Sequence, residues 1–260
     1  MLTFVGLGLY DEKDITLKGL EAVKSAEAVY FEVYTSKLGG CTAAKLEEAF
    51  GRELYPAKRE DIENDPEEIL KRAASEDIVL LTGGDPMTAT THVDLRLRAY
   101  DRGIATRIIH APSIFTAVSG ITGLSSYRFG KAATISYPYR DDFKSISDVP
   151  YDTIRLNRSN GLHTLLLLDI SSRAYMTIPQ ALTILEALET RRGEGVLDDL
   201  IFVGIARAGS SEGKVKAGMI ETLRAFDFGD PLHVLIAVGD LHFMEEEALV
   251  KFAGLETGIF

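Results

Sequence analysis

Short apolar runs alternate with helix-patterned stretches from one end of the chain to the other, and no other feature constrains the fold as much. That alternation is the signature of an α/β architecture. Residues 2–5 and 29–33 read as the first two buried strands, with Leu17, Leu20 and Val23 recurring at helical spacing between them. Asp65-Pro66-Glu67-Glu68 reads as a helix start, an acidic cap with proline at the first helical position ahead of Ile69 and Leu70. A strand over 78–81 ends in Gly83-Gly84-Asp85-Pro86, a helix near 93–102 stops at Gly103, and 106–109 forms another strand. The second half predicts strands over 132–137, 164–170, 200–206 and 233–238. Helices are expected near 179–190, capped by Thr177, and near 243–252. The stretch 136–160, rich in Pro, Asp, Ser and Tyr, has the weakest pattern. Pro112 interrupts a strand and Ser113 is placed to cap a helix. The expected organisation is therefore an N-terminal α/β domain over 1–110, a C-terminal α/β domain over 111–260, and a cleft between them.

Charge and cysteine content narrow the function classes. Lys and Arg number 28 against 39 Asp and Glu, a net charge of −11, which repels phosphate backbones and disfavours broad nucleic-acid binding. Cys41 is the single cysteine, so an intramolecular disulfide framework and a Cys-pair zinc site are excluded. The five histidines show no HxxxH or HExxH spacing, and no metal is expected. The opening residues turn acidic before a signal-length apolar core is complete, and no apolar run approaches the roughly 18–20 residues needed to span a bilayer. The chain reads as cytoplasmic.

Three turns carry the chemistry. Gly6-Leu7-Gly8-Leu9-Tyr10-Asp11 follows a strand but is no dinucleotide fingerprint: Asp11 stands at the third glycine position, where its carboxylate would face a pyrophosphate. It also lacks the Gly-Lys-Ser/Thr end of a phosphate-binding loop. Its glycines still let backbone approach a ligand without phosphate. In the second turn, 82–91, two glycines expose backbone, Pro86 stiffens the path, Asp85 supplies an acceptor, and Thr88, Thr90 and Thr91 add hydroxyls. Gly-Asp-Pro is ordinary turn chemistry by itself. Small polar residues directly after a strand, where α/β sheets bind ligands, favour a site. The third, Ala111-Pro112-Ser113-Ile114, opens a helix whose first N–H groups are able to meet a carboxylate.

In this order and spacing the three turns resemble the class III methyltransferases, the superfamily of the tetrapyrrole methylases. The likeness narrows to the diphthine synthases through Gly6–Glu12 with Asp14-Ile15-Thr16, Tyr34-Thr35-Ser36, Ala89-Thr90-Thr91-His92 and His110–Ile114. It continues through Gly161-Leu162-His163-Thr164, Leu168-Asp169-Ile170, Tyr175-Met176-Thr177, Ala206-Arg207-Ala208-Gly209-Ser210 and Phe228-Gly229-Asp230-Pro231, and so spans nearly the whole chain. Gly83 departs from the proline common there, which alters turn stiffness.

The resemblance implies a homodimer whose two α/β domains hold S-adenosyl-L-methionine in the interdomain cleft. The family's cofactor positions fall on Leu9, Asp85, Thr88, Ser113, Ile114, Leu168, Ala208 and His233. Leu9, Ile114 and Leu168 would supply apolar walls and Asp85 and Ser113 polar anchors. Ala208 and Thr88 would act through backbone. On residue type alone His233 reads as a strand-end histidine; the resemblance makes it a cofactor contact. His92, His110, His163 and His242 are expected to be structural or superficial. The implied reaction is methylation, expected to be trimethylation, of the amino group on the modified histidine of elongation factor 2, in diphthamide biosynthesis. No catalytic residue is indicated. The rival within the superfamily is a tetrapyrrole methyltransferase of the corrinoid or sirohaem pathways. Outside it stands a non-catalytic nucleoside- or partner-binding protein.

Overall fold

The computed structural model describes residues 1–34, 38–139, 145–170 and 175–258. Thr35 and Ser36, part of one family-like segment, lie outside them. The chain divides into two compact units, Met1–Ile114 and Phe115–Phe260.

In the first unit, strands β1 (Leu2–Gly6), β2 (Ala28–Glu32), β3 (Tyr55–Ala57), β4 (Ile78–Thr82) and β5 (Thr106–Ile109) form one sheet in the order β3-β2-β4-β1-β5. All pairs are parallel. Such a sheet is covered on both faces, which is why its strands are apolar without alternation. Leu2, Phe4, Ala28, Tyr30, Ile78 and Leu80 pack on one side with residues of α3 (Glu67–Ala73) and α4 (His92–Asp101). Val5, Val29, Phe31, Val79 and Leu81 pack on the other with α1 (Leu17–Ser25) and α2 (Ala43–Phe50).

Several local expectations shift. Leu17 opens α1 but is 79% exposed, and the buried face is Gly19 and Val23; Thr16 caps the helix by accepting from Gly19 N at 3.1 Å. Asp65 does not cap α3. Its N–H closes a preceding π-helical turn, Glu60–Asn64, onto Glu60 O, and Pro66 takes the cap position.

In the second unit, β6 (Ala133–Ile135), β7 (Thr164–Leu168), β8 (Phe202–Ala206), β9 (Lys214–Gly218) and β10 (His233–Ala237) run in the order β6-β7-β10-β8-β9. Only β6 and β7 are parallel. The main core joins this sheet to α6 (Val149–Arg158), α7 (Ile178–Arg192) and α8 (Ile220–Ala225). Helix α6 emerges from the weakly patterned stretch, with Pro150 in its first turn and Tyr151, Thr153 and Ile154 buried. At Thr177, the start of α7, Gln180 Oε1 accepts from both the Thr177 N–H (2.9 Å) and its hydroxyl (3.1 Å). Helices α5 (Ile114–Thr122) and α9 (Phe243–Ala253) and a short 3-10 turn, Ser126–Arg128, complete the described elements, and among the described residues no helix is long and apolar enough to cross a membrane.

Candidate functional site

Strands β4, β1 and β5 are neighbours in register, Gly6 opposite Thr82 and Val5 opposite Ile109, so the turns after all three emerge side by side. Gly84 N donates to Gly8 O at 2.7 Å, and Gly8 N returns a bond to Gly84 O at 3.3 Å. A Cβ on Gly6 would lie 2.5 Å from Gly84 O, 2.7 Å from Ala111 Cβ and 3.0 Å from Pro86 Cδ. One glycine thus lets all three turns meet. Asp14 Oδ2 accepts from Leu9 N (3.2 Å) and Tyr10 N (2.7 Å), fastening the first turn from below its glycines.

Asp85 is the knot of the second turn. Its Oδ1 accepts from Met87 N at 3.0 Å and Thr88 Oγ1 at 3.2 Å; its Oδ2 accepts from His110 Nδ1 at 2.7 Å and Ala111 N at 3.4 Å. Burial opposes ionisation here, but the donors from Met87, His110 and Ala111 outweigh it and hold the carboxyl below its ordinary range. On the far side of the loop, Pro86 O accepts from His92 Nδ1 (2.9 Å) and Thr90 Oγ1 (2.8 Å). His92 is fully buried, and that burial lowers its pKa, keeping the ring neutral. Ala89 completes the loop in the left-handed region at φ 56°, a strained position for a residue with a side chain.

Of the residues singled out in the sequence, Leu9, Asp85, Thr88, Ser113 and Ile114 belong to this first unit and stand in or beside its three turns. Leu168, Ala208 and His233 belong to the second, at one end of its sheet. Val234 pairs with Leu167 and His233 with Ala206, so the end of β7, the start of β10 and the exit of β8 lie level. His233 is engaged through both ring nitrogens: Nδ1 accepts from Ile178 N at 3.2 Å and Nε2 donates to Asp230 O at 3.2 Å. Burial lowers its pKa as well. Arg207, directly before Ala208, has φ 49° and donates to Phe228 O and Glu212 O.

Sequence reasoning passed over two residues. His110 read as structural or superficial, and its bond to Asp85 was not foreseen; the available signal was a polar side chain at the end of a parallel strand, where α/β sheets place ligands. Asp14 is the other. It stood in the family-like Asp14-Ile15-Thr16 segment with no role of its own, inside an acidic run that is ordinarily a solvated face.

The family model of the tetrapyrrole (corrin/porphyrin) methylases matches residues 1–224. The diphthine synthase of Methanocella arvoryzae is 55% identical over 260 residues, covering 99% of this chain and 100% of that one. This chain belongs to the diphthine synthase family of the tetrapyrrole methylases. The diphthine synthase of Methanosarcina mazei is 56% identical, covering 97% of this chain and 96% of its own. A crystal structure of a diphthine synthase superposes with a TM-score of 0.91 at 47% identity, covering 99% of this chain and 98% of that one. Membership in the diphthine synthase family makes the chain a methyltransferase with S-adenosyl-L-methionine as methyl donor. For the corrinoid and sirohaem alternative, only the superfamily speaks.

Proposed function

We propose that this chain methylates the amino group of the modified histidine of elongation factor 2, in three successive additions, as a cytoplasmic homodimer, leaving S-adenosyl-L-homocysteine. Full-length identity of 55% to a diphthine synthase is the observation that carries this reading. An acidic chain, net −11, is also poorly suited to an anionic macrocycle.

The residues fit the donor. Among the described residues only Ser113 Cβ, at 4.0 Å, lies where a side chain on Gly84 would point, so the backbone of the second turn borders open space. Leu9, Asp85, Thr88, Ser113, Ile114, Leu168, Ala208 and His233 are the proposed contacts. S-adenosylmethionine supplies a methyl group already activated on a sulfonium, so the protein's work is alignment, which contributes on the order of 7–11 kcal/mol. Asp85 does that work through its loop: with each carboxylate oxygen accepting two donors of its own unit, it shapes the Gly84 backbone. His233, with both nitrogens committed, offers its ring face and backbone.

Mass spectrometry of elongation factor 2 bearing the extended histidine, before and after incubation with the chain and donor, tests the function directly. Three methyl increments are expected; none, with a uroporphyrinogen methylated instead, would overturn it. Asp85→Ala should bind S-adenosylhomocysteine at least tenfold more weakly by calorimetry while remaining folded; unchanged affinity would take the Gly-Asp-Pro loop out of the donor site.

A further inference from the structure

An aliphatic amine is mostly protonated at neutral pH, so the acceptor nitrogen carries a proton that must leave before it can attack a methyl group. Asp85 is a poor candidate to take that proton, because both of its oxygens are occupied by internal donors. His92 is buried and spends its Nδ1–H on Pro86 O, and His233 has both nitrogens engaged.

His110 differs from all three. Its side chain is 69% exposed at the end of β5, and Nδ1 lies 2.7 Å from Asp85 Oδ2. A carboxylate oxygen only accepts here, so the neutral ring carries its proton on Nδ1 and Nε2 keeps a lone pair. Nε2 has no partner among the described residues. Among the described residues the charged group that the ring meets is Asp85.

We propose that His110 Nε2 is the general base of the methylation, with Asp85 fixing its tautomer. This rests on the reading of the substrate as an amine. The ammonium N–H bond breaks, its electron pair stays on nitrogen, and the proton binds Nε2. The exposed ring then releases that proton to water before the next cycle. Addition of three methyl groups to a primary amine requires three such removals, one ahead of each transfer.

His110→Asn keeps an N–H able to reach Asp85 but has no basic nitrogen; His110→Ala removes both. In the native chain, nitrogen-edited NMR should show His110 protonated on Nδ1 and bare on Nε2 when neutral; the opposite tautomer overturns the proposal. His110→Asn should bind S-adenosylhomocysteine within about twofold of the native chain. Its methyl transfer to modified elongation factor 2 at neutral pH should be slower by roughly 10²–10⁴, the usual reach of general-base catalysis. That loss should shrink as pH rises, and added imidazole should restore part of the His110→Ala rate. A His110→Asn rate equal to native overturns the base while leaving the substrate reading intact. So does a parallel fall in affinity and rate, which would mean His110 only positions the loop. A native chain inactive on the factor overturns the substrate reading, and the base with it.

Discussion

Gly6 shows how one atom decides the geometry of a site. The position is extended strand, which any residue adopts, yet a methyl group there would press on Gly84 O, Ala111 Cβ and Pro86 Cδ together. Gly6→Ala should therefore push apart the turns after β1, β4 and β5 rather than merely stiffen the strand. The expected cost is about 1–3 kcal/mol in urea unfolding, with a drop in S-adenosylhomocysteine affinity larger than that of a distant variant of equal stability. A folded Gly6→Ala that binds normally would show that contact between the turns does not shape the donor site. Glycine at 6 was visible in the sequence as part of a loose Gly-x-Gly pattern, but its reason was not: the atoms that forbid a side chain lie 78 and 105 positions away, at Gly84 and Ala111.

Helix α9 owes its place to a buried carboxylate. Glu245 accepts from Ser125 N (2.8 Å), His242 N (2.9 Å), His163 Nε2 (3.2 Å) and Arg128 (3.3 Å), tying the α9 start to the segment after α5 and the entry of β7. His163 Nδ1 in turn accepts from Gly239 N at 2.9 Å, so Nε2 carries the proton toward Glu245. Burial opposes ionisation of Glu245, but donors from His242, Ser125 and His163 prevail and hold its pKa down. Glu245→Ala would strand a buried histidine, a guanidinium and two backbone donors, and should cost about 3–5 kcal/mol in chemical denaturation. A loss under about 1 kcal/mol would mean water satisfies those donors. Sequence periodicity placed this helix well, because Phe243–Ala253 is long and patterned. It missed α2, α8, β3 and β9, which are short or flanked by polar residues and form because the two sheets offer them a surface.

Across the molecule, the buried His92 and His163 and the half-buried His233 set how stability answers to pH. His92, His163 and His233 each have a pKa lowered from 6.5, burial being the largest cause in each. Below 6.5 their unfolded forms bind protons while the folded forms resist, so the unfolded state gains as pH falls. Their stabilisation is complete above about 6.5 and is lost on acidification through the folded values. Each proton contributes about 1.4 kcal/mol per pH unit at full slope. The unfolding temperature should be nearly level from pH 7.5 to 8.5 and decline steadily from 6.5 to 5; a flat profile across that lower interval would show that the histidines ionise within the fold.

The α/β class, the positions of the long strands along the chain and the three turns were determined by the sequence alone, because uninterrupted apolar runs and glycine-bearing strand ends are local properties. Even the family was legible, since its motifs are local words in a fixed order. Which donors and acceptors those side chains meet was decided by tertiary structure. The Asp85 carboxylate meets Met87, Thr88, His110 and Ala111, and His110, read as structural or superficial, has its Nδ1 on Asp85 and no partner at Nε2 among the described residues. A carboxylate's lone pairs go to whichever donors the fold brings within about 3 Å, and those donors came from two strand ends 25 residues apart that only parallel pairing through β1 makes neighbours.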